Sequence, residues 1–447
     1  SPAPGLAEFD GAAMAEGLLD AARAVISQVD APIDAVGITN QRASVLLWDR
    51  ATGAPLGPGL GWQDLRTVGD CIMAKIEHGW TLAPNQSATK AGWLLANAPD
   101  LAGRDVCIGT IDSWVAWTLT EGAIHVSDQT NASATTNGLR LVDGSGWNTA
   151  ICDALGVPVS TLPEVVDSVG VCGRATALAG APPIAAMLGD QQASLIGQSC
   201  IKPGRAKITF GSGGMLDVCT EQPTPDGAHR HAAGTYPLPL WSIDGRLTWG
   251  VEGIMLSAGT NVEWLCDDLG LIDDPADSHT VASGCSDSDG VVYVPALMGL
   301  GTPRWDYGAR GALLGLTRGT GRPELARAVV EAMAYQTRDV VELMTEASGQ
   351  RLAELRVDGG AAVMDVLLQF QADQLGVGVT RPASTETTAI GAAYLAGLAE
   401  GVWGSTDEVQ QAWRVDRRFD PATDRARADA SYQRWLAAVA RSRDWAS

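Results

Sequence analysis

The sequence predicts an α/β protein of two domains. The chain has 447 residues, of which 46% are hydrophobic and 19% charged, so it is globular and too long for one core. Apolar runs typical of buried strands alternate with helical patterns along its length, which indicates mixed sheets flanked by helices. Lys202-Pro203-Gly204 interrupts a helical pattern near the middle. Length alone allows two or three domains; we expect one over 1–199 and one over 200–447.

Charge and cysteine content exclude several classes of partner. The net charge of −21, without any basic run, argues against nucleic acid and anionic membranes. The longest apolar runs fall well short of a membrane span. Eight cysteines are scattered without a C-x-x-C pair, which favours reduced thiols and a cytoplasmic location over disulfides or zinc. His229 and His231 could share a metal, but the nearby prolines favour an exposed loop.

The first half shows the expected alternation of elements. Apolar spacing predicts helices over 12–29, 87–98 and 146–155, and strands over 35–39, 45–48 and 105–108. Lys90, on the second of these helices, is predicted to be solvated. Asp112 follows the third strand, and we interpret it as a helix cap rather than a catalytic group. A surface loop is expected from Leu162.

The second half continues in the same way. The patterns predict strands over 248–251, 291–295 and 352–358, and helices over 257–269, 364–375, 388–400 and from 423. Pro323 suits the first turn of another long helix, which Gly349 ends.

Asp190 occupies the most informative position in the chain. The apolar run 183–188 ends at Gly189, and a helical pattern follows from Ala193, which predicts a strand, a sharp turn and a helix start. Ligands in open α/β sheets bind outside the carboxyl ends of strands, so Asp190 is placed where chemistry would occur. Taken alone, the position favours a simple helix N-cap, and only the sequence that follows shifts the interpretation towards chemistry.

Two glycine-rich turns point to an anion. Gly211-Ser212-Gly213-Gly214 separates two strand-like runs, and Gly359-Gly360 separates a strand from a helical pattern. Such turns let backbone N–H groups converge on an anion without obstruction by Cβ atoms. Together with the carboxylate of Asp190 they suggest a phosphoryl-transfer cleft between two domains.

Seven segments, in order, then resemble one family. They are 37–42, 62–67, 109–114, 189–193, 299–311, 334–339 and 356–361. Each is weak alone, but their order over most of the chain resembles the FGGY carbohydrate kinases, and within them most closely the glycerol kinases. The resemblance implies a two-domain actin-like (ribonuclease H-like) fold with the active site in the interdomain cleft. It also implies transfer of the γ-phosphoryl of ATP, with Mg²⁺, to a hydroxyl of a sugar or polyol.

The resemblance also implies roles for individual residues. Asp190 would accept the proton of the attacking hydroxyl and help to hold the metal. The implied substrate-binding residues are Arg42, Ala43, Trp62, Asn85, Asp190, Gln191 and Met215. The implied nucleotide-binding residues are Ser212, Gly213, Gly259, Glu263, Gly360, Ala361 and Met364. For Trp62, ordinary core packing is the alternative.

Four of these positions depart from the glycerol kinase pattern. Ala43 stands where that pattern has a Glu, Asn85 where it has a Tyr, Met215 where it has a Phe, and Met364 where it has an Asn. A site that hydrogen-bonds substrate hydroxyls through polar side chains, such as that Glu and Tyr, can discriminate between substrates by several orders of magnitude. We therefore expect a polyol or sugar kinase whose substrate is longer than glycerol, such as a ketose like xylulose.

Two other functions are weighed against this one. The first is a catalytically weak, sugar-responsive regulatory or binding protein of the same fold. The second is another actin-like ATPase, which has no reason to carry Arg42, Trp62 and Gln191 together. The family opens with an Asp-x-Gly-Thr hairpin that 1–37 does not resemble, so we expect the sequence to be a fragment or to have a misassigned start. The absence of such a hairpin upstream would instead favour the regulatory function. A homo-oligomer, dimer or tetramer, is also expected.

Overall fold

A computed structural model describes residues 2–3, 5–98, 101, 103–134, 146–220 and 234–446. Its strands are β1 (Glu8–Phe9), β2 (Val36–Asn40), β3 (Val45–Asp49), β4 (Gly59–Leu60), β5 (Val106–Thr110), β6 (Val126–Asp128), β7 (Glu164–Val166), β8 (Val169–Arg174), β9 (Pro183–Gly189), β10 (Arg205–Phe210), β11 (Gly214–Cys219), β12 (Tyr236–Ile243), β13 (Arg246–Met255), β14 (Val292–Val294), β15 (Ala312–Leu314), β16 (Glu354–Gly359), β17 (Gly378–Pro382) and β18 (Val415–Phe419). Its α-helices are α1 (Gly11–Ile26), α2 (Val68–His78), α3 (Ser87–Asn97), α4 (Ile111–Leu119), α5 (Gln129–Ala134), α6 (Thr149–Ala154), α7 (Asp190–Gly197), α8 (Gly259–Glu263), α9 (Ser278–Ala282), α10 (Arg322–Ser348), α11 (Asp365–Leu375), α12 (Thr387–Ala399), α13 (Thr406–Ala412) and α14 (Arg425–Ser442).

A ten-stranded mixed sheet runs through the molecule. Its order is β18-β17-β16-β10-β11-β13-β12-β8-β9-β2, and β1, β4, β3 and β5 form a separate four-stranded sheet. Within the described residues, the strands of the two halves join only where Ile243 of β12 pairs with Val169 of β8. Parallel neighbours such as β2 and β9, or β10 and β16, require crossover connections, which helices supply. Each half therefore has its own group of strands, but the two groups form one continuous sheet rather than a separate sheet in each half.

Helices α7 and α12 cross with their backbones in contact. A Cβ atom added to Gly391 of α12 would lie 1.8 Å from the carbonyl oxygen of Ala193, and one added to Gly197 would lie 1.9 Å from that of Thr387. Only glycine fits at such a crossing. A helix of the second half thereby packs against the helix that begins with Asp190.

Some expectations do not match the described structure. The surface loop predicted from Leu162 is wrong, because β7 and β8 follow it and β7 pairs in parallel with the distant β6. The helix predicted over 257–269 forms as α8 and a π-helical segment, Trp264–Asp268. His229 and His231 lie outside the described residues. Among the helices that the structure describes, none is both long and apolar enough to cross a membrane.

Candidate active site

Asp190 lies at the carboxyl end of β9, where α7 begins. Its side chain is 32% exposed, and its Oδ1 accepts a hydrogen bond of 2.8 Å from the backbone N–H of Gln191. The preceding turn is held because the N–H of Gly189 donates to Thr130 Oγ1 over 2.9 Å. The carboxylate of Asp190 is therefore fixed in direction but open to a ligand, which favours a functional group over a helix cap.

Arg42 is the cation beside Asp190. Its Nε lies 3.5 Å from Asp190 Oδ1, and its Nη2 lies 2.6 Å from Glu252 Oε2 on β13. The aliphatic part of Arg42 packs so closely on Gly189 that a Cβ atom there would lie 2.7 Å from it. Burial opposes ionisation, but the charges of Glu252 and Asp190 raise the pKa of Arg42 above its ordinary value. The guanidinium thus stays charged.

Hydrogen bonds join the segments that the sequence assigns to substrate binding. The N–H of Trp62 donates to Ser44 Oγ over 3.1 Å, and Ser87 Oγ donates to the carbonyl of Ala43 over 3.2 Å. Ala43 is buried and has a left-handed φ of 65°. The side chain of Trp62 is 38% exposed, so this indole is not an ordinary core residue. Asn85 is exposed two positions before Ser87.

The sequence prediction for Lys90 is wrong. It is fully buried rather than solvated, and its Nζ donates to the carbonyl of Gly61, next to Trp62, over 2.6 Å. Burial lowers the pKa of Lys90 to about 8, although the charge of Asp64 acts in the opposite direction. The sequence places Lys90 on a helix but contains no local sign of the distant carbonyl that it binds.

A row of charged residues crosses three neighbouring strands of the ten-stranded sheet near α7. Lys207 of β10 pairs in register with Asp217 of β11, which pairs in register with Glu252 of β13. Lys207 Nζ lies 2.8 Å from Asp217 Oδ2, and it also donates to Gln191 Oε1. Burial, supported by the negative charge of Glu252, raises the pKa of Asp217. Sequence reasoning missed Lys207, Asp217 and Glu252, although charges inside apolar strands were a signal available to it.

The first glycine-rich turn rests on the start of α8. The N–H of Gly259 donates to the carbonyl of Gly211 and that of Ala258 to the carbonyl of Ser212, each over 2.8 Å. A Cβ atom on Gly259 would lie 2.7 Å from the Gly211 oxygen, and one on Gly213 would lie 2.6 Å from the Met255 oxygen. The structure therefore brings Gly259 against the turn that carries Ser212 and Gly213, and a compact glycine-rich turn of this kind can direct backbone N–H groups towards a phosphate.

The remaining residues of the nucleotide set differ in exposure. Gly360 is exposed, with nothing within 4 Å of a Cβ atom placed there, and Glu263 is exposed on α8. Ala361 and Met364 are buried, and Met364 Sδ accepts a hydrogen bond of 3.1 Å from Ser278 Oγ. Met215, on β11, is half-buried. Among these five residues, Gly360 and Glu263 are the exposed ones.

Asp112 has a structural role, but it is not the helix cap that the sequence predicts. The cap position is Thr110, and the Asp112 carboxylate is buried, with its Oδ2 accepting from Ser127 Oγ over 2.6 Å and from the N–H of Asp128 over 3.2 Å. Burial, with the nearby charge of Asp128, raises the pKa of Asp112 to about 6. Asp128 in turn accepts from Thr130, which holds the turn before Asp190.

The fold and the cleft around Asp190 define the class of protein: an ATP-dependent sugar or polyol kinase. Residues 1–197 match the N-terminal domain of the FGGY family of carbohydrate kinases, and residues 206–400 match its C-terminal domain. The chain belongs to this family.

Relatives and solved structures agree with this assignment. A glycerol kinase of Aromatoleum aromaticum is 43% identical over 99% of this chain and 92% of its own length. One from Deinococcus radiodurans is 42% identical over 99% of this chain and 91% of its own length. The glycerol kinase of Plasmodium falciparum, solved with ADP, has a TM-score of 0.90 and 30% identity, covering 98% of this chain and 91% of that one. A xylulose kinase of Rhodospirillum rubrum, at 22% identity, shares the fold with a TM-score of 0.83. The match covers 99% of this chain and 91% of that one.

Proposed function

We propose that this kinase phosphorylates a neutral polyol or ketose longer than glycerol, such as xylulose, with Mg²⁺ and ATP. The observation that carries the proposal is the pairing of Asp190 with Arg42 beside a wall where Ala43 and Asn85 bring no large side chain. Glycerol itself is the second candidate, because the relatives reported above carry the name glycerol kinase.

Asp190 serves as the base in this proposal. The substrate oxygen attacks the γ-phosphorus, the bond to the bridging oxygen of ADP breaks, and the hydroxyl proton passes to the Asp190 carboxylate. The transition state is loose, so positioning and charge stabilisation supply most of the rate and a carboxylate is a sufficient base. Arg42 lies beside Asp190 and offers donors to substrate hydroxyls. Trp62 forms an apolar wall for the carbon face, Met215 extends it, and Gln191 hydrogen-bonds a substrate oxygen.

A neutral substrate fits the charges around the site. The partly exposed cation is Arg42, and it is already paired with Glu252 and faces Asp190. The buried cation Lys207 is paired with Asp217. A carboxylate on the substrate would therefore meet acidic groups without a free cation to balance it.

The nucleotide is assigned to the glycine turns of the second half. Ser212 and Gly213 would face the phosphates with backbone N–H groups, and Gly259, Gly360, Ala361 and Glu263 would line the nucleotide pocket, with Met364 near the adenine. A carboxylate that is open to solvent fits a hard cation with oxygen ligands, so Asp190 would hold Mg²⁺ together with the phosphates and water. Bound Mg²⁺ would neutralise charge on the transferring phosphoryl group.

The remaining expectations support the same assignment. We propose that 1–199 binds the sugar and 200–447 the nucleotide, in a cytoplasmic homo-oligomer. The eight scattered cysteines, without a C-x-x-C pair, support a reducing compartment. The regulatory alternative can be distinguished from the kinase by ADP release, because a binding protein would not release ADP when a polyol is added.

The test is a coupled ADP assay over glycerol, tetritols, pentitols, xylulose, ribulose and gluconate with Mg-ATP. We expect the highest kcat/KM with a four- or five-carbon polyol or ketose and none with gluconate. A much higher kcat/KM for glycerol would refute the proposal of a longer substrate, but the assignment as a kinase would stand. No ADP formation with any compound would favour the regulatory function.

A further inference from the structure

Lys207 is the start of a buried hydrogen-bond chain that no catalytic role requires. Its ammonium has three N–H donors, and all three have acceptors: Asp217 Oδ2 at 2.8 Å, Thr209 Oγ1 at 3.0 Å, and Gln191 Oε1. Because Lys207 occupies the carbonyl oxygen of the Gln191 amide, the Nε2 group of Gln191 keeps its donors for a ligand. No hydrogen bond from Nε2 is found within the part of the chain that the structure describes.

The chain continues from Thr209 to Asp358 through a serine of α7. Thr209 Oγ1 lies 3.3 Å from Ser194 Oγ, and Ser194 Oγ donates to Asp358 Oδ2 over 2.8 Å. Since the one hydroxyl proton of Ser194 goes to Asp358, Ser194 must accept the proton of Thr209, whose oxygen accepts from Lys207. Every donor therefore points from the ammonium towards the carboxylate, an order in which hydrogen bonds polarise one another.

Asp358 places the far end of this chain beside the second glycine turn. It lies on β16 immediately before Gly359, whose φ of 84° begins the turn. The same Oδ2 accepts from Thr387 Oγ1 of α12, and over 3.1 Å from Nε2 of Gln198, the residue that follows α7. Asp358 thus joins the strand that carries the nucleotide turn to both helices of the glycine crossing.

We infer that Lys207 is a positioning residue that couples the polyol site to the nucleotide turn, acting through Thr209, Ser194 and Asp358. This inference rests on the proposed function for its two ligands. A substrate oxygen that binds Gln191 Nε2 fixes the amide against Lys207, and the chain transmits that ordering to Asp358. Polyol binding should therefore tighten nucleotide binding, and by thermodynamic linkage nucleotide should tighten polyol binding by the same factor.

The decisive variants cut the chain without removing a charge. Thr209→Val keeps the side-chain shape on β10 and leaves the Lys207–Asp217 pair intact, and Ser194→Ala cuts the next link. Thr380→Val is the matched control, since Thr380 is a buried strand threonine that donates to Glu354 Oε1 over 2.8 Å, outside the chain. If Thr209→Val does not fold, Ser194→Ala carries the test.

The measurement is calorimetric titration of a non-hydrolysable ATP analogue, with and without a saturating polyol that the wild type phosphorylates. Coupling factors between sites are typically about 5- to 150-fold. We expect a factor in this range for the wild type and Thr380→Val, and a factor within about twofold of unity for Thr209→Val and Ser194→Ala. A chain-cutting variant that keeps the wild-type factor, a control that loses it equally, or a wild type without coupling would overturn the inference. A wild type that phosphorylates no polyol would instead remove the proposed function, and the inference with it.

Discussion

Arg42 and Glu252, 210 positions apart in the sequence, form an ion pair in which Nη2 lies 2.6 Å from Oε2. Their side chains are 15% and 6% exposed, so water screens the pair weakly. Because Arg42 Nε also faces Asp190, the direction of the guanidinium beside Asp190 depends on a residue of the other half. We therefore propose that Glu252, a charge inside an apolar strand, helps to position Arg42 in the substrate site.

Glu252→Gln should weaken substrate binding more than it slows the chemical step. The amide keeps the size of the side chain but loses the charge that holds Arg42, and hydrogen bonds to charged groups contribute about 1.5–3 kcal/mol. We expect KM for the polyol to rise about tenfold or more, with a smaller fall in kcat, in steady-state assays. Glu331→Gln is the control, because Glu331 forms a buried pair with Arg327 at 2.8 Å on α10. Equal changes in both variants would contradict this role of Glu252.

Asp190→Asn should abolish most of the turnover and leave nucleotide binding nearly intact. The amide cannot accept the substrate proton, and a positioned base contributes about 10²- to 10⁴-fold to the rate. The measurement pairs kcat with calorimetric affinity for an ATP analogue, and the exposed Asp153→Asn serves as control. Wild-type turnover in Asp190→Asn would show that Asp190 only begins α7.

Ala43→Glu should shift substrate preference towards glycerol. Ala43 already has a left-handed φ, so the longer residue adds no new backbone strain, and its carboxylate would accept hydrogen bonds from a small polyol. We expect the ratio of kcat/KM for glycerol to that for the best longer substrate to rise about tenfold or more. Ala51→Glu, on an exposed turn, adds the same charge away from the site. An unchanged ratio would show that position 43 does not set substrate length.

The local hydrophobic pattern predicted the elements that carry Asp190 and the glycine turns, because a strand, a turn and a helix start are each determined by consecutive residues. The resemblance added Arg42 and Trp62. Neither source could predict that Lys90 is buried, since its partner, the Gly61 carbonyl, is distant in the sequence. The position of Lys207 in an apolar strand was a signal of burial, but neither source could name Asp217 as its partner. A sequence pattern reports the spacing of side chains along one element, whereas the environment of these residues depends on contacts between elements.

Lys90 gives a prediction in which the sign of the pH effect is fixed. Its pKa is lowered to about 8 in the folded state from the ordinary 10.5, so between these values the unfolded chain binds more protons than the folded one. Stability should therefore rise with pH across this window, and a shift of this size corresponds to about 3 kcal/mol. Lys90→Met cannot titrate. We expect the unfolding free energy of the wild type, relative to that of Lys90→Met, to increase by about 3 kcal/mol between pH 8 and 10.5 in urea titrations. Lys75→Met, on the exposed face of α2, should show no such trend, and a flat difference for Lys90→Met as well would mean that Lys90 is solvated after all.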